Sequence, residues 1–439
     1  MPTSYRPYEP DQDLLLPPSL REWLPEGHLA YFIADVVGQL DLSEFHERYA
    51  EGGPRNQPFD PGMMVRVLLY AYATGTFSSR RIARKLEEDV AYRVLAAGNL
   101  PAHRTIAEFR QRNLGAFEKL FAQVVRIARG AGAKRLGTLA VDGTKLRASA
   151  SKHKAMSYGR MREEQGRLER EIAELTARAE AQDAAEDRQH GAGKRGDELP
   201  PELRRREQRL AAIRAAKARL EARQAEADRE QGRTPGDERK SGGRKRFARE
   251  FGAPANKMQD NFTDPESRIM KTGEGFQQCY NAQAAVEAAS QFIVAAELTN
   301  CAADSGALVP VVEAARAATG CKPRTVLADA GYRAEDNFAA LSKHGITAYI
   351  ALGREGKAAP HAPSPPGPAT QRMMARMASP AGGERYRKRK AIVEPVFGWI
   401  KHILGFRQFS LRGEGKARGE WRMVCTAVNL KRMHRLQSA

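Results

Sequence analysis

Aromatic side chains are scarce in this chain, at 7% of 439 residues, and cysteine occurs only four times. Long apolar runs are missing too: none approaches the ~20 residues that a membrane-spanning helix needs. Cys279, Cys301, Cys321 and Cys425 lie far apart and form no CxxC, and the nine histidines give no HxxxH. That spacing argues against a structural zinc site and for reduced cysteines in a core. The opening residues, Met1-Pro2-Thr3-Ser4-Tyr5-Arg6, lack the basic-then-apolar pattern of a signal peptide. These absences lead to the expectation of a soluble, cytoplasmic protein with no membrane attachment. Charge balance is also missing. The 72 Lys and Arg against 53 Asp and Glu give a formal net charge of +19. A basic proteome bias would produce such an excess, but the basic residues also cluster, which favours a polyanion such as nucleic acid as partner.

The hydrophobic content of 41% is globular, and the length suits two or three domains. Residues 1–130 read as short helices joined by tight turns. Asp60-Pro61 has the form of an N-cap followed by proline at the first helical position. Ser78-Ser79 can cap the next helix, "RRIARKLEEDVAYRVLAAG" (80–98), and Thr105 a further one. Arg80, Arg81 and Arg84 on one of these helices fit a helix-turn-helix reader of DNA. They fit a plain bundle with a basic, solvated face equally well. Residues 159–233 are rich in Arg, Glu, Ala and Gln, with Leu168, Ile172 and Leu175 and then Leu203, Leu210, Ile213 and Leu220 at heptad-like spacing. This predicts an inserted coiled-coil hairpin, broken by "HGAGKRGDELPP". The tract 231–247 is expected to be poorly ordered. The proline-containing stretch 353–383 is expected to be a loop or disordered segment.

Around the insertion lie five expected strands: an opening strand within 134–152, with Leu139-Ala140-Val141 as its short buried run, then 279–290, 292–300, 325–332 and 346–352. Helices are expected at 304–319, 334–343 and about 416–436. In the first strand Asp142 precedes Gly143, a turn former, so the aspartate reads either as a capping residue at a strand end or as a functional carboxylate. The succession β-β-β-α-β-α-β-α is that of a ribonuclease H-like domain, in which the first and fourth strands are parallel neighbours. Asp142 and Asp329 then emerge side by side. Glu394, in "AIVEPVFGWIK", is a third acid within reach. Pro395 requires either that a helix starts there or that it runs through with a kink. Three carboxylates without histidine or thiolate suit Mg²⁺ or Mn²⁺, and two such ions can clamp a phosphodiester. The basic run "ERYRKRK" (384–390) and Lys401, two helical turns beyond Glu394, suit phosphate contacts.

These residues resemble the DDE transposases of bacterial insertion sequences. "LAVDGTKLRASAS" is similar to the first-Asp motif, and "NFTDPESRIM" with "GFQQCYNAQAAVE" to the second- and third-strand region. "VLADAGY" is similar to the second-Asp motif. "YRKRKAIVEPVFGWIK" with "GFRQFSLRGEGKARGEWRMVCTAVNLKRM" resembles the Glu motif and closing helix. The resemblance implies an α+β chain, with a helical DNA-binding domain at 1–130 and a ribonuclease H-like catalytic domain at 134–158 and 240–439. A mixed five-stranded sheet flanked by helices is expected there, with the hairpin at 159–233 inserted. It implies Asp142, Asp329 and Glu394 as catalytic ligands of two Mg²⁺ or Mn²⁺ ions, and Tyr386 and Lys401 as phosphate contacts. Arg389 and Lys390 compete for a basic role between Tyr386 and Glu394, because the spacing is one residue longer than in many relatives. Lys145, Arg80, Arg81 and Arg84 are further expected DNA contacts, and Asp264 reads as structural or substrate-side. The implied partners are double-stranded DNA, as transposon ends and target, and further copies of the chain in a homodimer or higher synaptic complex. The implied place is the nucleoid. Two other readings stand beside it: a standalone metal-dependent nuclease, and a DNA-binding protein that has lost catalysis. The hairpin is open to either dimer or DNA contact.

Overall fold

Asp60 and Pro61 start a helix as their chemistry dictates: the Asp60 carboxylate accepts the Met63 amide at 2.6 Å, and proline occupies the first turn. The computed structural model describes residues 19–47, 49, 57–130, 136–190, 201–237, 249–353 and 365–437. Ahead of the first strand lie α1 (Leu29–Gly38), α2 (Ser43–Glu47), α3 (Pro61–Ala73), α4 (Ser79–Glu88), α5 (Val90–Leu95), α6 (His103–Arg112) and α7 (Leu114–Gly130). The expected helix from Ser79 to about Gly98 is two helices, because Asp89 adopts extended backbone and caps α5 through the Ala91 amide. Thr105 lies inside α6, which starts at His103 with Ala102 as its cap, so its expected capping role falls away.

Strand β1 (Thr138–Arg147) is followed by a short β2 (Ala155–Ser157) and the long helices α8 (Tyr158–His190) and α9 (Pro201–Glu230). Met161, Leu168, Leu210, Ile213, Ala216 and Leu220 form a separate apolar cluster at the base of this helical pair. Near the end of α9, Asp228 has its pKa lowered to about 2, first by the Arg249 guanidinium at 2.6 Å. Helical heptad spacing was the signal here, and both helices follow it. The break expected between them lies at 191–200, outside the described residues. So does 238–248, most of the tract expected to be poorly ordered.

The chain then runs through β3 (Gln259–Asn261), which pairs with β2, and β4 (Arg268–Thr272), β5 (Gly275–Glu287) and β6 (Ile293–Thr299). Next come α10 (Leu308–Thr319), β7 (Thr325–Ala328), α11 (Glu335–Lys343) and β8 (Thr347–Ile350). Among the described residues the main sheet has six strands rather than five. Its backbone order is β6-β5-β1-β7-β8, with β5 antiparallel to β1 and with β7 and β8 parallel to their neighbours. That is the ribonuclease H-like order. The sixth strand, β4, shares an edge of β5 with β6: Arg268–Thr272 pair with the first residues of β5, across a turn in which Gly275 has φ of 94°.

Residues 353–383 are not a loop throughout: α12 (Pro368–Ala378) and the first turn of α13 (Pro380–Gly398) fall within them. Pro368 and Pro380 each sit in a first helical turn, where proline favours a helix instead of breaking it. The prolines at 360 and 363 lie outside the described residues. Helix α13 runs through Pro395 and passes into a π-helical turn at Trp399–Ile403, before the closing helix α14 (Glu414–Gln437). One continuous apolar core joins α1–α7, the sheet, α13 and α14. A buried polar chain crosses it: Arg110 donates to the Tyr72 hydroxyl at 3.0 Å, which donates to Glu420 of α14 at 3.1 Å. The four cysteines are all free.

Candidate active site

Strand pairing between β1 and β7 aligns Thr138 with Thr325, Leu139 with Val326 and Ala140 with Leu327. Carried on by two residues, the same offset sets Asp142 level with Asp329. Parallel neighbours emerge at the same edge of a sheet, so both carboxylates stand at the C-terminal end of this strand pair. Asp142 does not end its strand: β1 continues to Arg147, paired with β5 throughout, and Gly143 sits in the strand opposite Gln283. The expected turn at Gly143 is absent because β5 is long enough to hold β1 in register past it. Asp329 follows β7 and caps a short 3₁₀ turn, its Oδ1 accepting the Gly331 amide at 2.9 Å.

The two aspartates are electrostatically coupled. The Asp142 carboxyl is held above its ordinary range, first by burial and further by the charge of Asp329. Opposing this, Arg389 reaches down from α13 and donates from Nη1 to Asp142 Oδ2 at 2.8 Å. The Gly143 amide adds a hydrogen bond to Oδ1 at 2.8 Å. Arg389 is 7% exposed, and its Nε is buried without a hydrogen-bond partner. A guanidinium left short of a partner at this depth is costly, and the carboxylate is what repays it. Lys401, half-buried on the π-helical turn, stands in the field of the same carboxylate. Burial and Arg407 push its pKa down, and Asp142 pulls it up.

Glu394 is placed differently. It is exposed on α13, while Arg389, Ile392, Val393, Val396 and Phe397 form that helix's buried face. Five residues separate Arg389 from Glu394, which at ~100° per residue turns the glutamate well away from the guanidinium. Among the described residues, no group of three His, Cys, Asp or Glu side chains lies close enough to hold a metal ion. The structure brings Arg389 onto Asp142, sets Asp329 and Lys401 in the field of that pair, and leaves Glu394 exposed on α13. Tyr386 is half-buried on the same helix and adds to the field at Arg389, whereas Lys390 is exposed. Of the two competing basic residues, Arg389 is the one at the aspartates.

Lys145 is committed to an acid that the sequence reading passed over. Its ammonium pairs with Asp304 Oδ1 at 3.0 Å, in the loop between β6 and α10. The available signal was weak: Asp304 stands in "CAADSGAL" with no second acid near it in sequence. Asp264 is 1% exposed: its Oδ1 accepts from the Tyr280 hydroxyl at 2.8 Å and from the Gly413 amide at 3.2 Å, while its Oδ2 is buried without a hydrogen-bond partner. Arg80, Arg81 and Arg84 are exposed on α4. Arg81 and Arg84 line an open groove with Lys85, Glu88 and Asp89.

Carboxylate oxygens at Asp142 and Asp329 are the donor type that Mg²⁺ and Mn²⁺ prefer. Two half-buried carboxylates stand there, one of them already paired with a guanidinium. The donor chemistry thus fits a divalent cation at the two aspartates.

Two family models match the chain. The Transposase DDE domain family matches residues 248–430, a span holding β4–β8, Asp304, Asp329, Arg389, Glu394, Lys401 and most of α14. The Transposase domain (DUF772) family matches residues 18–112, the N-terminal helices up to α6. Asp142 lies between the two matched spans. No curated protein and no solved structure matches the chain. No helix among the described residues is long and apolar enough to cross a membrane. With a DDE domain following a transposase helical domain, and the sheet order of a ribonuclease H-like fold beneath it, the chain belongs to the DDE transposases of insertion sequences.

Proposed function

We propose that this transposase binds the terminal inverted repeats of its own element, cleaves the ends by hydrolysis, and joins the freed 3′-hydroxyls to target DNA by transesterification. The observation that carries this reading is the β1–β7 register, which sets Asp142 beside Asp329 at one edge of the sheet. In the proposal Asp142 and Asp329 hold Mg²⁺ or Mn²⁺, with Glu394 as the third carboxylate and two ions in all. When bound, such ions activate an attacking oxygen and stabilise the leaving one. Around them, Arg389 and Lys401 carry positive charge toward the scissile phosphate, and Tyr386 borders the same helix face. Arg80, Arg81 and Arg84 contact the DNA backbone from the helical region, with Lys145 and Lys390 as further contacts near the sheet. Two ends must be held at once, so the working form is a dimer or larger assembly on DNA. The helical region to residue 130, the catalytic region resuming near residue 240 and the hairpin at 159–233 act as the three units of that assembly.

The test is Mg²⁺-dependent cleavage and joining of a labelled terminal-repeat duplex. Wild-type protein cuts and produces joined molecules, whereas Asp142→Ala and Asp329→Ala bind the duplex without cutting it. Cleavage without joining assigns a nuclease instead. Cleavage by the two variants at the wild-type rate removes the aspartates from the chemistry.

A further inference from the structure

Behind the two aspartates lies a polar chain that the proposed chemistry does not use. Asp304 Oδ1 accepts from three side chains: Lys145 Nζ at 3.0 Å, Asn281 Nδ2 at 2.6 Å and Gln283 Nε2 at 2.8 Å. Lys145 belongs to β1, and Asn281 and Gln283 to β5, each directly across from Lys145 and Gly143 respectively. Gln283 Oε1 in turn accepts a short hydrogen bond from the Tyr332 hydroxyl, in the turn that Asp329 caps. Asn281, Gln283 and Tyr332 are all essentially inaccessible to solvent. A buried network of this kind is fully satisfied or costly, and when satisfied it rigidifies what it joins.

Two glycines make room for Asp304. A Cβ on Gly143, the residue after Asp142, would stand 2.9 Å from Asp304 Oδ1 and 3.0 Å from Asn281 Oδ1. A Cβ on Gly331, two residues after Asp329, would stand 3.1 Å from Asp304 Oδ2 and 3.0 Å from Asp329 Oδ1. The Gly143 contact is closer than a real Cβ comes, and the Gly331 contact is tight enough that a neighbour would have to give way. One carboxylate is therefore packed directly against the backbone next to both aspartates.

We infer that Asp304 is a positioning residue for the two-aspartate cation site, fixing Asp142 relative to Asp329 through Lys145, Gln283 and Tyr332. This rests on the reading of Asp142 and Asp329 as cation ligands. Groups that orient ligands from behind cost about ten- to hundredfold in metal affinity when removed. Asp304→Asn keeps the shape of the side chain but drops the charge that holds Lys145. Tyr332→Phe leaves every charge in place and cuts only the last link, from Gln283 to the Asp329 turn.

The experiment is Mn²⁺ titration of the full chain, followed by electron paramagnetic resonance, with the melting temperature of each variant measured alongside. Asp142→Asn serves as the control for the site. Asn429→Ala serves as the control for stability, since Asn429 is buried and bonds both backbone groups of Ile293, at 2.9 and 2.8 Å, at the start of β6. The expected result is Mn²⁺ binding by wild type, its loss in Asp142→Asn, and about ten- to hundredfold weaker binding in Asp304→Asn. Tyr332→Phe weakens it severalfold, and Asn429→Ala melts earlier but binds Mn²⁺ as wild type does. Wild-type affinity in both Asp304→Asn and Tyr332→Phe, with loss in Asp142→Asn, overturns the role of Asp304 and leaves the cation site standing. Weakening in Asp304→Asn alone reduces its part to charge and overturns the positioning chain. Equal weakening in Asn429→Ala makes the effect one of general stability and also overturns it. Undiminished binding in Asp142→Asn, or none by wild type, overturns both readings.

Discussion

The site's acids are carried in two ways, by strands and by a helix, and the two differ in how firmly each is placed. Asp142 stands on β1 and Asp329 directly follows β7, neighbouring parallel strands whose backbone hydrogen bonds set their register, so a slip of one residue would turn Asp142 to the other face of the sheet and take Asp329 out of level with it. Glu394 stands on α13, where direction depends on rotation about an axis at ~100° per residue. That helix contains Pro395, which removes one backbone donor, and runs on into a π-helical turn four residues later. A sheet fixes the facing of a side chain through the whole ladder, whereas a helix fixes it through packing alone. On α13 the packed face belongs to Arg389 and its apolar neighbours, and Glu394 is exposed.

The largest effect that would break this comparison concerns the chemistry itself. Loss of either strand-borne carboxylate, in Asp142→Ala or Asp329→Ala, should lower cleavage ~10³-fold or more, the rate equivalent of several kcal/mol of charge stabilisation. Retained DNA binding in a mobility-shift assay would separate this from unfolding. Next comes stability. Arg389→Ala strands the half-buried Asp142 carboxylate without its partner and should cost about 1–3 kcal/mol in urea unfolding, less than a fully buried pair would because Asp142 keeps some solvent. By contrast Glu394→Ala, at an exposed position, should stay within about 0.5 kcal/mol of wild type. Equal losses in the two variants would mean that the helix places both residues alike. A third change sharpens the strand side. Gly143→Ala forces a methyl against Gln283 and Asp304, and should cost about 1–3 kcal/mol by overpacking. The smallest effect lies on α4: Arg81→Ala should lower the salt dependence of DNA binding by about one unit of slope, without altering cleavage at saturating DNA.

The same contrast explains what could be read from the sequence. Strand order and the meeting of Asp142 with Asp329 were legible, because short apolar runs ending in an acid, alternating with amphipathic helices, leave few topologies open. The paired helices of the insertion were legible from Leu168, Leu210, Ile213 and Leu220 for the same reason. Gly143 was misread as a turn, since a glycine that admits a neighbouring carboxylate looks the same in sequence as one that bends the chain. Proline misled at 368 and 380, where it starts helices. Arg389 and Asp304 carry their meaning only through contacts with residues far away in sequence, 247 positions off for Arg389 and 159 for Asp304. No local pattern reports such a pairing. The facing of Glu394 was beyond reach as well, because it depends on how α13 packs.

The central claim is that the two strand-borne aspartates form the cation site, and anomalous scattering from Mn²⁺ in crystals of the full chain bound to DNA tests it most directly. The account predicts a Mn²⁺ peak between the Asp142 and Asp329 carboxylates, with the Arg389 guanidinium moved off Asp142. A peak ligated elsewhere, with Arg389 still paired to Asp142, would contradict it.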